Sequence, residues 1–138
     1  MRFMVMVKSD ADSEAGVPLS EEDMTAMGRY NEELIKAGVL LAGEGLHPSA
    51  RGAKVRFTDG RPSVIDGPFT EAKELVAGFW LLQVKSKDEA IEWVKRVPCT
   101  GGGEFDIEIR QVFEADDFGE AFTDDLRARD AALRSGQQ

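Results

Sequence analysis

The chain of 138 residues holds one histidine, His47, and so one side chain of the kind that exchanges protons near neutrality. A carboxylate beside an imidazole fixes its tautomer and raises its basicity, which is what a general base requires. The segment Val64-Ile65-Asp66-Gly67-Pro68-Phe69 offers such a group in Asp66. The same letters also spell a turn: Asp accepts a local amide, Gly tolerates positive φ, and Pro presets the exit. Both readings stand on the residue types alone.

What separates them is where the elements carry the two side chains. Residues 1–7 read as a first strand, running from the edge of a sheet into its core. Ser20 with Asp23 has the spacing of a helix N-cap, and Gly38 suits the C-terminal stop. On that helix Met24, Met27, Leu34 and Ile35 fall within an arc of about 100°. Asn31 falls in the same arc, so it must either bond a neighbouring backbone group or reach a pocket.

Residues 39–46 read as a second strand. Residues 53–57 and 62–65 flank Thr58-Asp59-Gly60-Arg61, and Asp-Gly between β-rich runs is a strong hairpin signal. Residues 75–84 form an apolar run fit for a central strand, with Gly78 marking a bulge or a close backbone approach. Ser86 and Glu89 make a second capping box. Ala90, Ile91, Trp93, Val94 and Val97 share one side of the helix that follows, which Pro98 ends. Residues 100–103 are expected to turn. Residues 104–113 alternate as a half-buried strand, with Phe105, Ile107 and Ile109 on one face.

This order predicts an α+β fold, a ferredoxin-like sandwich (βαβ-hairpin-βαβ) with an antiparallel sheet and both helices on one face. The other face would be bare and apolar, which predicts a homodimer packed sheet against sheet. The second strand runs outward to His47, the hairpin's first strand back, and its second outward again to Asp66, so the two residues are expected at the same end of the sheet. Strands about 4.8 Å apart would then start the two residues roughly 10 Å from each other, and loop curvature would close the gap.

The residues Asp66-Gly67-Pro68-Phe69, followed by Thr70, Lys73-Glu74 and Gly78-Phe79-Trp80, resemble the signature of the DGPF-motif branch of the YCII-related proteins. Gly43-Glu44-Gly45-Leu46 and Asp88-Glu89-Ala90-Ile91-Glu92-Trp93 with Pro98 extend the match over residues 1–113. The resemblance implies a dimeric α+β barrel of ferredoxin-like protomers. It also implies a pocket where a His and an Asp meet, here His47 and Asp66, and no cofactor. Some relatives in that family occur beside extracytoplasmic-function sigma factors, which implies a regulatory alternative with a sigma-factor partner. Around the pair, Lys73 and Arg51 would bind an anionic group or simply be solvated. Phe69 and Trp80 would wall the pocket or belong to core or interface, and Glu44 would orient a ligand or face water.

Composition sets the outer limits. A net charge of −9 and a pI near 4.6 argue against nucleic acid as partner, because phosphate binding needs clustered cations. No apolar run is long enough to span a membrane, and a cytoplasmic location is the default expectation. Cys99 is the one cysteine, read as small filler near a turn, and with one histidine it excludes the Cys/His zinc patterns within a subunit. Residues 1–113 are expected to form the domain, and residues 114–138 a C-terminal amphipathic helix and tail. Phe118, Phe122, Leu126 and Leu133 would lie along that helix from Asp116 onward, packed on its own sheet or on the partner subunit. A small cofactor-free enzyme acting on a small-molecule ligand and a non-catalytic binding module both remain open at this point.

Overall fold

The computed structural model describes residues 1–99 and 104–136. The turn expected at 100–103 lies outside the described residues. The chain forms β1 (Arg2–Lys8), a short α1 (Ala11–Glu14), α2 (Glu21–Lys36), β2 (Leu40–Gly45), β3 (Ala53–Thr58), β4 (Arg61–Asp66), β5 (Val76–Gln83), α3 (Lys87–Val94), β6 (Ile107–Gln111) and α4 (Asp124–Ser135). Single 3₁₀ turns cover Ser49–Arg51 and Ala72–Glu74, and a longer one covers Ala115–Ala121.

Four strands make one antiparallel sheet in the order β2-β5-β1-β6. Each βαβ unit leaves a gap that a strand of the other unit fills, which is the ferredoxin-like topology. The fold class is therefore α+β as expected, and β1 lies inside the sheet between β5 and β6. The irregularity expected at Gly78 is found: Val7 pairs with Gly78 but Lys8 with Val76. A side chain at Gly78 would also come within 3.1 Å of the Glu44 carbonyl oxygen. Bulge and close approach coincide there.

One face of the sheet carries the core. Phe3 and Val5 of β1, Trp80 and Leu82 of β5, Tyr30 and Leu34 of α2, and Ala90 of α3 are all buried. At about 25 cal/mol per Å² of apolar area, this layer is the main source of stability. Tyr30 donates its hydroxyl proton to the Trp93 carbonyl at 2.7 Å, tying α2 to α3, and burial pushes the phenol up to about 12. Trp80 stands edge-on to the Tyr30 ring and donates its indole N–H to Asn31 Oδ1 at 2.8 Å. Asn31 thus takes a side-chain partner rather than the backbone group or pocket its place on the wheel suggested.

The wheel itself needs rotating. Tyr30 and Leu34 face the core with Met27 beside them, while Met24 and Ile35 are exposed. The sheet meets α2 along the 27–30–34 line, and the expected stripe sits to one side of it.

Both main helices start on serine. Ser20 Oγ accepts from the Asp23 amide, and Ser86 Oγ from the Glu89 amide. The Glu89 carboxylate returns to the amide of Lys85, one residue earlier than a standard box. Gly38 follows α2 with φ +73°.

Two expectations fail. Strands β3 and β4 form a separate two-stranded ribbon, unpaired with the four-stranded sheet. Its turn is the expected one, Asp59-Gly60, with both φ values positive at 51° and 78°. The tail is also not one helix from Asp116. The 3₁₀ segment breaks at Gly119 (φ +66°), and α4 begins afresh with Thr123 as N-cap. Phe113, Phe118 and Phe122 stack in series ahead of it, and Arg2 pairs with Glu114 at 2.8 Å at the end of the sheet. Among the described residues, no helix is long and apolar enough to cross a membrane.

Candidate functional site

Pairing of β2 with β5 continues one step past Gly45, the Leu46 amide donating to the Ala77 carbonyl at 2.8 Å. His47 follows directly, at the point where the chain leaves the sheet. Pro48 and the 3₁₀ turn Ser49–Arg51 reverse it, and the ribbon then departs through Gly52. The ribbon returns at Asp66, the last residue of β4, opposite Ala53.

Two contacts clasp the return to the outward loop, and a third braces that loop on α1. The Gly67 amide donates to the Gly52 carbonyl at 3.0 Å. The Phe69 amide donates to Ser49 Oγ at 2.9 Å. Ser49 in turn gives its hydroxyl proton and its backbone N–H to the two oxygens of Glu14, from the short helix α1. These bonds hold the Glu14 carboxyl below its ordinary value of 4.5, the Ser49 hydroxyl first and its amide second.

Gly67 has a steric reason to be glycine. A Cβ there would fall 1.7 Å from the Ser49 carbonyl oxygen. The turn after β4 is therefore pressed against the backbone of the loop bearing His47, and the Gly67–Pro68 peptide is cis. Neither Ser49 nor Glu14 was a candidate by sequence. A serine after Pro48 reads as ordinary loop chemistry, and nothing local links Glu14 to a residue 35 positions later.

The expected His47–Asp66 contact is replaced by another. Arg51 Nη1 lies 3.2 Å from His47 Nδ1 and 3.1 Å from Nε2. An atom equidistant from both ring nitrogens is on neither lone pair, so this is a close approach of guanidinium to ring more than a directed bond. The route of the chain explains the change. The ribbon stands apart from the sheet, so Asp66 comes back to Ala53 and Gly52, beside the loop's end, and the assumption of three adjacent strands falls. Among the described residues the Asp66 carboxylate makes no hydrogen bond or ion pair, and both His47 and Asp66 are exposed.

The remaining candidates divide. Phe69 is half-buried at the clasp, with Lys54 Nζ 4.2 Å from its ring centre. Lys73, in the turn Ala72–Glu74, is exposed and unpaired among the described residues. Glu44 is exposed on β2, opposite Phe79 on the face of the sheet away from the helices. Trp80 leaves the set: it is 7% exposed, bonded to Asn31, and packed in the core. Its neighbour across the strands must be Gly43, since a Cβ there would sit 2.8 Å from the indole.

Near the clasp lie the His47 imidazole with the Arg51 guanidinium against its ring, the unpaired Asp66 carboxylate at the end of β4, and Lys54 of β3, which reaches the Phe69 ring from the side of the ribbon opposite Asp66. Such a group can hold a small anion and move a proton. No group of three or more His, Cys, Asp or Glu suited to a metal occurs among the described residues. Shallow depressions along the outer faces of α2 and α3 include none of these side chains.

Residues 1–116 match the model of the YCII-related domain. The uncharacterized protein R00369 of Rhizobium meliloti (strain 1021) is 32% identical over 111 residues, covering 75% of this chain and 89% of that one. Among solved structures, the chain is similar to 5-chloro-2-hydroxyhydroquinone dehydrochlorinase (TftG) from Burkholderia phenoliruptrix AC1100, in complex with 2,5-dihydroxybenzoquinone. That likeness has 19% identity and a TM-score of 0.46, covering 85% of this chain and 98% of the other.

Proposed function

Because the chain belongs to the YCII-related domain family, we propose that the clasped loops form the site of a small enzyme acting on a small organic acid without a cofactor. His47 exchanges a proton with the substrate, and Asp66, free of other partners, faces the developing positive charge. Arg51, against the His47 ring, holds the substrate's anionic group, a charge-assisted contact of the stronger kind. Lys73 and Glu44 stand at the margin and adjust which acids fit.

The observation that supports this reading is the clasp itself. Gly67 against Ser49 and Phe69 bonded to Ser49 bring the Asp66 turn and the His47 loop together without burying either group. A merely connecting turn has no need of that approach.

The sole histidine makes the test clean, since it gives one imidazole signal in proton NMR. Titration with a panel of small aliphatic and aromatic carboxylic acids should move that signal. Arg51→Ala should weaken the response and Asp66→Asn should alter it. A signal that no acid moves would end the enzymatic reading.

A second reading has its own support. The chain exposes the paired rings of Phe113 and Phe118 in a segment that also carries Asp116, Asp117, Asp124 and Asp125, an acidic-aromatic composition suited to a basic protein partner such as a sigma factor. Recovery of the same partners after removal of residues 116–138 would count against it.

A further inference from the structure

The chain has a net charge of −9, yet its cations are unevenly spread. Residues 51–65 hold Arg51, Lys54, Arg56 and Arg61 against a single acid, Asp59. Elsewhere cations meet acids: Arg2 pairs with Glu114, Lys8 with Glu108, Arg96 with Glu33 and Arg127 with Asp116. Among the described residues Lys54, Arg56 and Arg61 make no ion pair. Cross-strand register puts all three on one side of the β3–β4 ribbon. Lys54 faces Ile65, Arg56 faces Ser63 and Thr58 faces Arg61, while Ala53, Val55 and Phe57 lie on the other side with Asp66, Val64 and Pro62. The ribbon is basic on one side and mainly apolar on the other, and every residue but Ile65 is exposed.

A two-stranded ribbon has two free edges, and here they differ. In an antiparallel pair, successive residues turn their backbone groups alternately toward the partner strand and away from it. The Gly67 amide bonds to the Gly52 carbonyl at 3.0 Å, in register with the ribbon. Lys54, Arg56 and Thr58 therefore face inward, and Ala53, Val55 and Phe57 face outward. On β4 the outward set is Asp66, Val64 and Pro62. Pro62 has no N–H, which blunts that edge against a further strand. The edge of β3 keeps all its donors and acceptors, and among the described residues no backbone group meets them. An open edge of this kind is a template for another strand.

We propose that the free edge of β3 takes an extended segment of a partner protein in which acidic and apolar residues alternate. The segment adds a third strand through backbone hydrogen bonds to Val55 and Phe57, and its side chains sort by the same period of two. Its acids fall on the basic side, beside Lys54 and Arg56. The apolar residues between them fall beside Val55 and Phe57, which are 55% and 70% exposed and so have area left to bury. Nucleic acid would use the cations alone and leave the open backbone and Phe57 in water. This role for the ribbon goes beyond the activity proposed above and requires neither His47 nor Asp66.

The probe is a short peptide alternating valine and glutamate, blocked at both ends and added to the full chain labelled with nitrogen-15. The Val55 and Phe57 amides should exchange freely with solvent in the protein alone, and slow by about tenfold or more at saturating peptide. A peptide of the same composition with its glutamates grouped at one end should bind about tenfold more weakly, and so should the alternating peptide to Arg56→Glu. Val55→Pro removes an outward N–H and no bond to β4, and should abolish binding. Methylating the peptide's own backbone nitrogens should do the same, a control that asks nothing of the protein's folding. Val55 and Phe57 amides already protected without peptide overturn the proposal, because the edge is then occupied, by a second copy or otherwise. Binding that survives methylation, or that the grouped peptide or a single-stranded oligonucleotide equals, also overturns it, since charge alone would suffice. So does failure of the alternating peptide to bind, which would leave Lys54 and Arg56 as guards of an exposed edge.

Discussion

The two sides of the sheet's β2 end are built on opposite terms. Toward the helices, Phe3, Val5, Leu34 and Leu82 are almost wholly buried, and the polar groups among them are paired, Trp80 with Asn31 and Tyr30 with Trp93. Toward the ribbon, His47, Arg51, Lys54 and Asp66 are exposed, and the loops keep their shape through a few hydrogen bonds and one missing side chain at Gly67. The first side holds the molecule together. The second is held by it, which is the usual position of loops that carry chemistry.

Leu34→Ala should break the first side, costing about 2–5 kcal/mol in urea unfolding by the transfer and cavity terms together. Gly67→Ala tests whether the second side has a stability of its own. The added methyl must displace the Ser49 backbone, at about 1–3 kcal/mol if the loops yield. The His47 signal should shift strongly, while the Trp80–Asn31 bond keeps its indole proton protected from exchange. Equal loss of both would erase the distinction between the sides.

The clasp should also loosen with acid, and the sign follows from Glu14. Its carboxyl is held below its ordinary 4.5, so the stabilisation is complete above that value and lost as pH falls through the lower folded value. Amide exchange at Phe69 should speed up across that window. Ser49→Ala should flatten the dependence, because both the Phe69 bond and the Glu14 hydroxyl bond depart with it. At the small end, His47→Ala should change global stability by no more than about 0.5 kcal/mol and still abolish the proton exchange assigned to it.

The helix-side architecture was legible because its signals are local. Serine caps at 20 and 86, Gly38 after α2 and Asp59-Gly60 in the hairpin each act over a few residues. The ribbon's departure from the sheet was not legible. Pairing depends on which edge is free in space, and β3 carries the same alternation whether it joins β2 or stands apart. The site was half legible for the same reason. His47 and the Asp66 turn could be picked by residue type, but the partner that meets His47 is Arg51, and the tie between the loops runs through Ser49, itself held by Glu14 far away in sequence. Met24 and Ile35 misled because a wheel gives the width of an apolar stripe and not the line along which a sheet touches it. In the tail, the spacing of Phe118, Phe122 and Leu126 suited a helix, but Gly119 takes a positive φ and divides it.

The placing of the two indoles has a practical consequence. Trp80 is sealed beneath Tyr30 and hydrogen-bonded, whereas Trp93 is half-open with the Arg96 guanidinium 4.4 Å above its ring. Under ultraviolet excitation the chain should emit in two components, a bluer one indifferent to dissolved quencher and a redder one that iodide reaches. Because neither ring borders the ribbon, events there should pass without a change of colour, and only loosening of the helical layer should redden the first.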